Sequence, residues 1–495
     1  MGGFTLKPPK QFLFTDLRHI ETGDLEWLAP DGQKLPVAGP PEPAVEARAA
    51  LGMTPYGIRL VAQRCQKEGP LEQGSPDNVI YDQGAYRAWY LRVRYPEGKD
   101  LGSYSVVAPD ALIIVYAESN DGYAWDYREM GHVEIAGMTG IDGGTFFIDP
   151  KGPANERYKC VFNARLLEDD PLCPELWKRY LEMHPAHRDD RLGGPHDIDC
   201  LWGMVSPDGL HWEMIKETLL INKGDTDNTV YYDDFLDKYV LYTRLYWLRR
   251  RMVARAESDD FRHWSPIQPV IWPNLFEPVT NDIYTNARTC YAGLPEHHLM
   301  FPMFYKRYTQ TSECRMFSSI DGLCWNEVPG GAVYTPGGTG WNGVFGSLRK
   351  NLIPLGNDRV ALGFGEGPHP HKYPRWQHVL RGGQSGYAVW PKGRLCALTA
   401  DREGAFYTFP IDVTGRELRI NADIHRAGEL RVGLADPAGK PIEGRTVDEC
   451  HPMFGDSSAH VVAWHGDANT RQEPGAKVRV HFKLRAAKLF GFEWV

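Results

Sequence analysis

Four aspartates, Asp77, Asp142, Asp227 and Asp282, each open a segment that alternates in polarity with period two. The segments are Asp77-Asn-Val-Ile-Tyr-Asp82, Asp142-Gly-Gly-Thr-Phe-Phe-Ile-Asp149, Asp227-Asn-Thr-Val-Tyr-Tyr-Asp233 and Asp282-Ile-Tyr-Thr-Asn-Ala-Arg288, and a fifth, Gly346-Ser-Leu-Arg-Lys-Asn-Leu352, lacks the acid. Carboxylates gathered at the ends of neighbouring strands can serve as nucleophile, base or proton donor. Crowding them lifts the pKa of one toward neutrality, because like charges disfavour ionisation. Glu313 and Glu366 are two further carboxylates of interest. An Asp before a strand is also an ordinary turn residue, and recurrence alone does not separate the two roles, since repeats preserve structural residues as well.

Other groups are candidates for contact with a ligand. Glu366 stands with His369 and His371 in the loop Gly365-Glu-Gly-Pro-His-Pro-His371; the two His have no third ligand nearby, so no metal site is expected. Trp247 beside Arg249 to Arg251 offers a stacking surface with positive charge, or an exposed strand edge guarded by basic residues. Arg288, Arg349 and Lys350 open inner segments too, where they would pair with the acids or hold an anionic group. No Gly-x-Ser-x-Gly, phosphate-binding loop or dinucleotide fingerprint occurs, so no cofactor is expected.

The elements that must position these residues are set by a repeat. Ser119-Asn-Asp-Gly-Tyr-Ala-Trp125, Ser206-Pro-Asp-Gly-Leu-His-Trp212, Ser258-Asp-Asp-Phe-Arg-His-Trp264 and Ser319-Ile-Asp-Gly-Leu-Cys-Trp325 share the form Ser-x-Asp-(Gly/Phe)-x-x-Trp. In such a turn the Ser and Asp side chains bond nearby backbone, Gly takes a positive φ, and Trp packs back over the turn. Asp121, Asp208, Asp260 and Asp321 are therefore read as turn formers rather than catalysts. Aromatic-rich strands precede each turn, at 85–93, 157–165, 238–244 and 297–305, with a fifth at 359–367. Five such units predict an all-β, five-bladed β-propeller over residues 71–398. An insertion at 166–199 carries a helix over Pro174 to His184. Residues 399–495 read as a separate C-terminal β-sandwich, expected to be structural, and residues 1–70, Pro-rich from Pro36 to Pro43, as an arm or an edge strand that closes the ring.

This combination of blades, Ser-x-Asp turns, acids at inner strands and C-terminal sandwich resembles the invertase/inulinase and arabinanase/xylosidase groups of glycoside hydrolases. The counterparts of their motifs are Ser75-Pro-Asp-Asn78 on the first blade, Ile141-Asp142-Gly143 or Ile148-Asp-Pro150 on the second, and Glu313-Cys314. The resemblance implies cleavage of a glycosidic bond, of a fructosyl or arabinosyl furanoside in the first instance, by two carboxyl groups flanking that bond. It makes Asp77 nucleophile or base, Asp142, Asp227 and Asp282 further channel acids, and Glu313 or Glu366 the proton donor. A mannoside-type phosphorylase and a non-catalytic carbohydrate-binding propeller are the alternatives on the same fold.

Composition narrows the partners. The 495 residues carry 55 Lys and Arg against 64 Asp and Glu, a net charge of −9, which disfavours nucleic acid. No stretch reaches the ~20 apolar residues of a membrane span, and the first ten residues lack a secretory leader. The nine cysteines contain no C-x-x-C pair, which fits free thiols in a cytoplasmic setting. A saccharide or small glycoside is the expected partner, with self-association open.

Overall fold

A strand that alternates in polarity buries one face and must pair along both edges, and the alternating segments resolve into antiparallel sheets stacked face to face. The computed structural model describes residues 10–22, 26–28, 34–35, 48–50, 55–72, 74, 76–93, 112–133, 138–166, 171–183, 198–222, 224, 227–247, 250–371 and 382–495. Pro36 to Pro43, Ser75, most of the insertion and Arg249 lie outside the described residues.

One unit comprises residues 64–327 and 331–392, and it is the five-bladed propeller. Blade 1 runs from the innermost strand Val79–Asp82 through Ala85–Val93 and Leu112–Ser119 to Asp126–Val133. Blade 2 pairs Met138–Ile148, Tyr158–Leu166 and Ile198–Ser206, with Glu213–Met214 and Leu220–Ile221 both against the third. Blade 3 is Thr229–Asp233, Lys238–Trp247, Arg250–Ser258 and Gln268–Ile271. In blade 4 the inner strand is split into Asn281–Thr285 and Arg288–Tyr291, the second into Leu294–Met300 and Met303–Lys306, and Thr311–Ser319 and Asn326–Tyr334 follow. Blade 5 starts with Phe345–Leu348 and continues through Arg359–Gly367 and Gln384–Pro391. Its outermost strand is Gln66–Glu68, from before blade 1, with Tyr387 opposite Glu68 and Val389 opposite Gln66.

Aromatic and branched side chains on facing sheets weld each blade to the next. Trp89 and Tyr116 pack with Phe146, Phe162 and Trp202 between blades 1 and 2, and Phe147 with Tyr239 and Leu241 between blades 2 and 3. Val240 and Tyr242 meet Ile283 and Phe304 between blades 3 and 4, Phe301 meets Trp390 between blades 4 and 5, and Val79 and Trp125 meet Ala361 and Tyr387 across the closure.

The four Ser-x-Asp turns have the geometry their sequence demands. In the first, Ser119 Oγ accepts the Gly122 amide at 2.9 Å, Asp121 Oδ1 accepts the amides of Tyr123 and Ala124 at 2.8 and 2.9 Å, and Trp125 Nε1 donates to Gly122 O at 3.1 Å. The carbonyl at the positive-φ position has a second task. Gly122 O also accepts Tyr387 Oη, Gly209 O accepts Trp89 Nε1, and Gly322 O accepts Tyr242 Oη, each at 2.6 Å and each from the preceding blade around the ring. The turns are thus pegs between blades. Gly322, at φ +71°, has no room for a side chain, since a Cβ there would lie 2.7 Å from Tyr242 Oη. In the third turn Phe261 takes the positive φ (68°) and buries its ring against Phe147 and Tyr239.

The insertion carries the helix Cys173–Met183, one residue earlier than its spacing predicts, with Cys173 and Leu176 in the core of blades 1 and 2. It is too short to cross a membrane, and no described helix is long and apolar enough to do so.

The other unit comprises residues 1–63, 328–330 and 393–495 and holds the β-sandwich. Its sheet is built on two 18-residue strands, Leu418–Ala435 and Lys477–Trp494, joined by Cys396–Tyr407, Ile411–Asp412 and Gly455–Val461. Bulges between Ile424 and Glu429 and between Ala400 and Glu403 interrupt the ladders, and Leu418, Ile420, Leu430, Val432, Phe482 and Phe492 share one core. Two strands come from the chain's beginning: Gln11–Leu13 pairs with Lys477–Trp494, and Arg59–Ala62 with Cys396–Tyr407. The segment read as an arm therefore supplies strands to the sandwich and, through Gln66–Glu68, to the propeller.

Candidate active site

Inner strands of a propeller converge on its axis, so residues at one end of them share a single space. There the protein has a cavity of about 390 Å³ lined by all five blades. Asp77 from blade 1, Asp142 from blade 2, Asp227 from blade 3 and Glu366, Arg349 and Lys350 from blade 5 line it; blade 4 contributes Tyr284, Thr285 and Met303. Six of the residues singled out in the sequence are thereby brought together, four acids and two cations.

Each acid is held differently. Asp77 is the most open, with its side chain 53% exposed and Oδ1 at 3.0 Å from Arg349 Nε. Its neighbour Asn78 is fully buried and donates to Phe146 O at 2.7 Å, which ties the start of blade 1 to blade 2. Asp142 is exposed on a strand that bulges on both sides of it, and its Oδ1 accepts the amide of Gly143, which takes φ +66°. Asp142 lines the cavity at this bulged stretch.

Asp227 is fixed most firmly. Its backbone is left-handed at φ +65°, Oδ2 accepts the amides of Asn286 and Ala287 at 2.7 and 3.0 Å, and its carbonyl accepts Asn286 Nδ2 at 2.6 Å. A non-glycine residue in that conformation costs about 1–3 kcal/mol, here offset by three bonds to blade 4. Lys350 Nζ stands 3.7 Å from Asp227 Oδ1 and donates to Thr145 Oγ1 and Asn228 O at 2.5 and 2.7 Å. Burial pulls the Lys350 ammonium below its ordinary pKa, and Asp227 and Asp77 oppose that pull.

Glu366 is buried, and its Oε2 accepts Lys67 Nζ at 2.7 Å, Tyr334 Oη at 2.9 Å and the Gly337 amide at 3.2 Å. Its Oε1 has no hydrogen-bond partner among the described residues. Burial, with Glu366 next, raises the Tyr334 phenol well above its usual range, so it stays a donor. Lys67, on the strand that completes blade 5, lies 4.9–5.4 Å from the rings of Tyr334, Phe364 and Trp341. Lys67 and Tyr334 were not singled out in the sequence: Lys67 is brought to Glu366 by a strand paired with a segment more than 300 positions away, and Tyr334 by the packing of blade 4 against blade 5.

The remaining candidates lie elsewhere. Asp282 is fully buried beneath Arg251, 2.6 Å from its Oδ2, and Arg307, 3.1 Å from its Oδ1, and does not line the cavity. In blade 4 the inner strand begins at Asn281, and Tyr284 and Thr285, farther along it, line the cavity where no acid does. Glu313 is bound by Lys306 at 2.5 Å and Arg315 at 2.7 Å; burial works to raise its pKa, but these two cations outweigh it and hold the carboxyl below the ordinary value, and Glu313 does not line the cavity. Arg288 lies between blades 3 and 4, 3.4 Å over the Tyr231 ring and 2.9 Å from His298 Nδ1. Trp247 packs on Trp272 at 4.8 Å, outside the cavity lining. His369 is half-buried off the lining, whereas His371 stacks on Phe345 at 4.5 Å and bonds Tyr284 Oη through Nε2 at 3.0 Å. Among the described residues no group of three or more His, Cys, Asp or Glu could hold a metal ion.

No family model matches the sequence, and no curated protein does. Among solved structures the chain is similar to a Bombyx mori GH32 beta-fructofuranosidase, with 10% identity over 89% of this chain and 94% of that one and a TM-score of 0.41. It is also similar to a thermostable family-43 glycoside hydrolase, 12% identical over 66% and 92% with a TM-score of 0.40, and to an N-acetylgalactosamine deacetylase from F. plautii, 14% identical over 68% and 95% with a TM-score of 0.38.

Proposed function

We propose that this protein is a glycoside hydrolase that cleaves its substrate in the axial cavity, with furanosides such as fructosyl or arabinosyl units as the first class to test. The observation that carries the reading is the convergence of Asp77, Asp142, Asp227 and Glu366 from four blades on one space of about 390 Å³, the size for one or two sugar rings. Cleavage needs one carboxyl group to protonate the leaving oxygen and a second to attack the anomeric carbon or activate water. Asp77, open and steered by Arg349, is the nucleophile or base. Asp227, immobilised by two amides, faces the positive charge that develops on the sugar, and Asp142 holds a hydroxyl or shares that task. Glu366 donates the proton through Oε1, the oxygen without a partner among the described residues.

The cations do not favour phosphorolysis. Arg349 and Lys350 are already engaged with Asp77, Thr145 and Asn228, and Arg288 is stacked between blades. The test is turnover of a panel of nitrophenyl furanosides and pyranosides by wild type, D77N and E366Q. D77N is expected to fail on every leaving group, and E366Q to fail on poor leaving groups while keeping activity on dinitrophenyl glycosides, which need no proton. Equal turnover by wild type and D77N would overturn the reading.

A further inference from the structure

The wall of the cavity is uneven, and its highest part is apolar. In blade 3 the second strand passes the level of Thr229, paired with Tyr242, and runs on five residues to Trp247. In blade 4 Met303 lines the cavity opposite Thr285, and the strand continues through Lys306 to the turn at Tyr308. At about 3.3 Å per residue these extensions raise a crest on the order of 10 Å or more above the acids. The crest carries Trp247, Trp272, Leu275, Phe276, Val279 and Tyr308; Leu275 is 101% exposed, Phe276 98% and Tyr308 89%. So much apolar area at one loop is unusual on a monomer and marks a contact surface.

The crest rises from strands that line the cavity. Tyr284 lines the cavity, and the guanidinium of Arg244 lies 4.1 Å over its ring. Arg251 lies 5.0 Å over the same ring and 5.1 Å over Tyr246, bonding Tyr246 Oη through Nε at 3.1 Å. The next residue, Trp247, points to the opposite face of blade 3, where it is tilted 49° against Trp272 at 4.8 Å, and Phe276 follows Trp272 four residues later. Planar groups thus stand on both faces of the blade 3 hairpin between the cavity and the crest, Arg244, Tyr246 and Arg251 toward blade 4 and Trp247 on the other face. Sugar rings present one apolar C–H face, and planar aromatic groups are the surfaces on which such a face stacks.

Resting on the glycosidase reading, we infer that the crest of blades 3 and 4 binds the continuing chain of a polysaccharide whose scissile bond lies among the acids. The substrate class is then a polymer or long oligomer rather than a small glycoside.

Affinity electrophoresis through gels containing arabinan, inulin, levan or xylan tests this, using the full chain in D77N form so that binding is read without turnover. At least one polysaccharide is expected to retard D77N, and W272A or L275S/F276S added to it to weaken that retardation about tenfold. In the active background the same changes are expected to lower kcat/KM on that polysaccharide about tenfold more than on a nitrophenyl monoglycoside. Retardation equal in all variants, or retardation of none in any gel, overturns the inference. So does sedimentation showing a dimer that L275S/F276S dissociates, which would assign the crest to a second copy of the chain. Loss of retardation in W272A alongside equal turnover by D77N and wild type would refute the hydrolase and leave the polysaccharide surface standing.

Discussion

Two sets of aspartates recur around this propeller, one in the outer turns and one at the inner strands, and they differ in what surrounds them. Asp121, Asp208, Asp260 and Asp321 each accept two backbone amides of their own turn and face solvent, so their bonding is complete within seven residues of sequence. Asp77, Asp142 and Asp227 owe their positions to other blades or to bulges, and they face a cavity. The more perfectly repeated set is thus the structural one. Repetition reports a shared local geometry, and the proposed chemistry belongs to the set whose local pattern is completed by something remote.

The contrast can be broken or sharpened by experiment. The largest effect is expected for D77N, which should lower kcat on a nitrophenyl glycoside by about 10³-fold while the melting temperature stays unchanged; D121N should do the reverse, lowering the melting temperature with turnover intact. If D121N silences turnover and D77N does not, the assignment of the two sets is wrong. Asp282 shares the sequence pattern of the inner set but the burial of a structural group. Removing its carboxylate strands Arg251 and Arg307, so D282A should cost about 3–5 kcal/mol of propeller stability by denaturant unfolding. G322A should cost about 1–3 kcal/mol, because it strains a positive φ and pushes Tyr242 off its peg, whereas G340A, with open space around it, should cost less.

Acid gives the mildest separation. Amides from Ala124 and Tyr123 hold the Asp121 carboxyl below its ordinary value of 3.8, so the stability it adds is present above that pH and fades only as pH falls through the lowered value. In the sandwich, burial and then Arg18 lower His19 to about 4, and burial and then Lys483 lower His481 to about 4. A histidine kept neutral by folding makes the unfolded state the better proton binder between pH 6.5 and 4. Sandwich stability should therefore decline as pH drops across that window while the turns hold. Hydrogen exchange resolved by unit should show this order, and H481Q should flatten the decline.

Much of the architecture was legible because its determinants are local. Alternation, the Ser-x-Asp signature and the closing Trp residues lie within single hairpins, and four of the 15 Trp were assigned from spacing alone. Residues whose surroundings are assembled from afar were not legible. Glu313 looked free in the chain, and the hairpin that brings Lys306 across from it makes it an anchor. Asp282 matched the pattern of its set, but the structure pairs it with Arg251 and Arg307 and puts Tyr284 and Thr285 of its strand on the cavity. Lys67 sits in Gln66-Lys67-Glu68, three polar residues with no period, and only pairing with Gln384–Pro391 gives it a role beside Glu366.

That same pairing bears on how the chain reaches its folded state. The edge of the last blade is made of residues separated from their partners by more than 300 positions, so the ring cannot close until nearly the whole propeller has been synthesised. Four blades can form from neighbouring hairpins as they emerge, whereas the fifth waits for a distant segment, and closing so long a loop is the slow, entropically costly step. Because Lys67 arrives with that segment, Glu366 acquires its cationic partner only when the ring closes, and the site matures last.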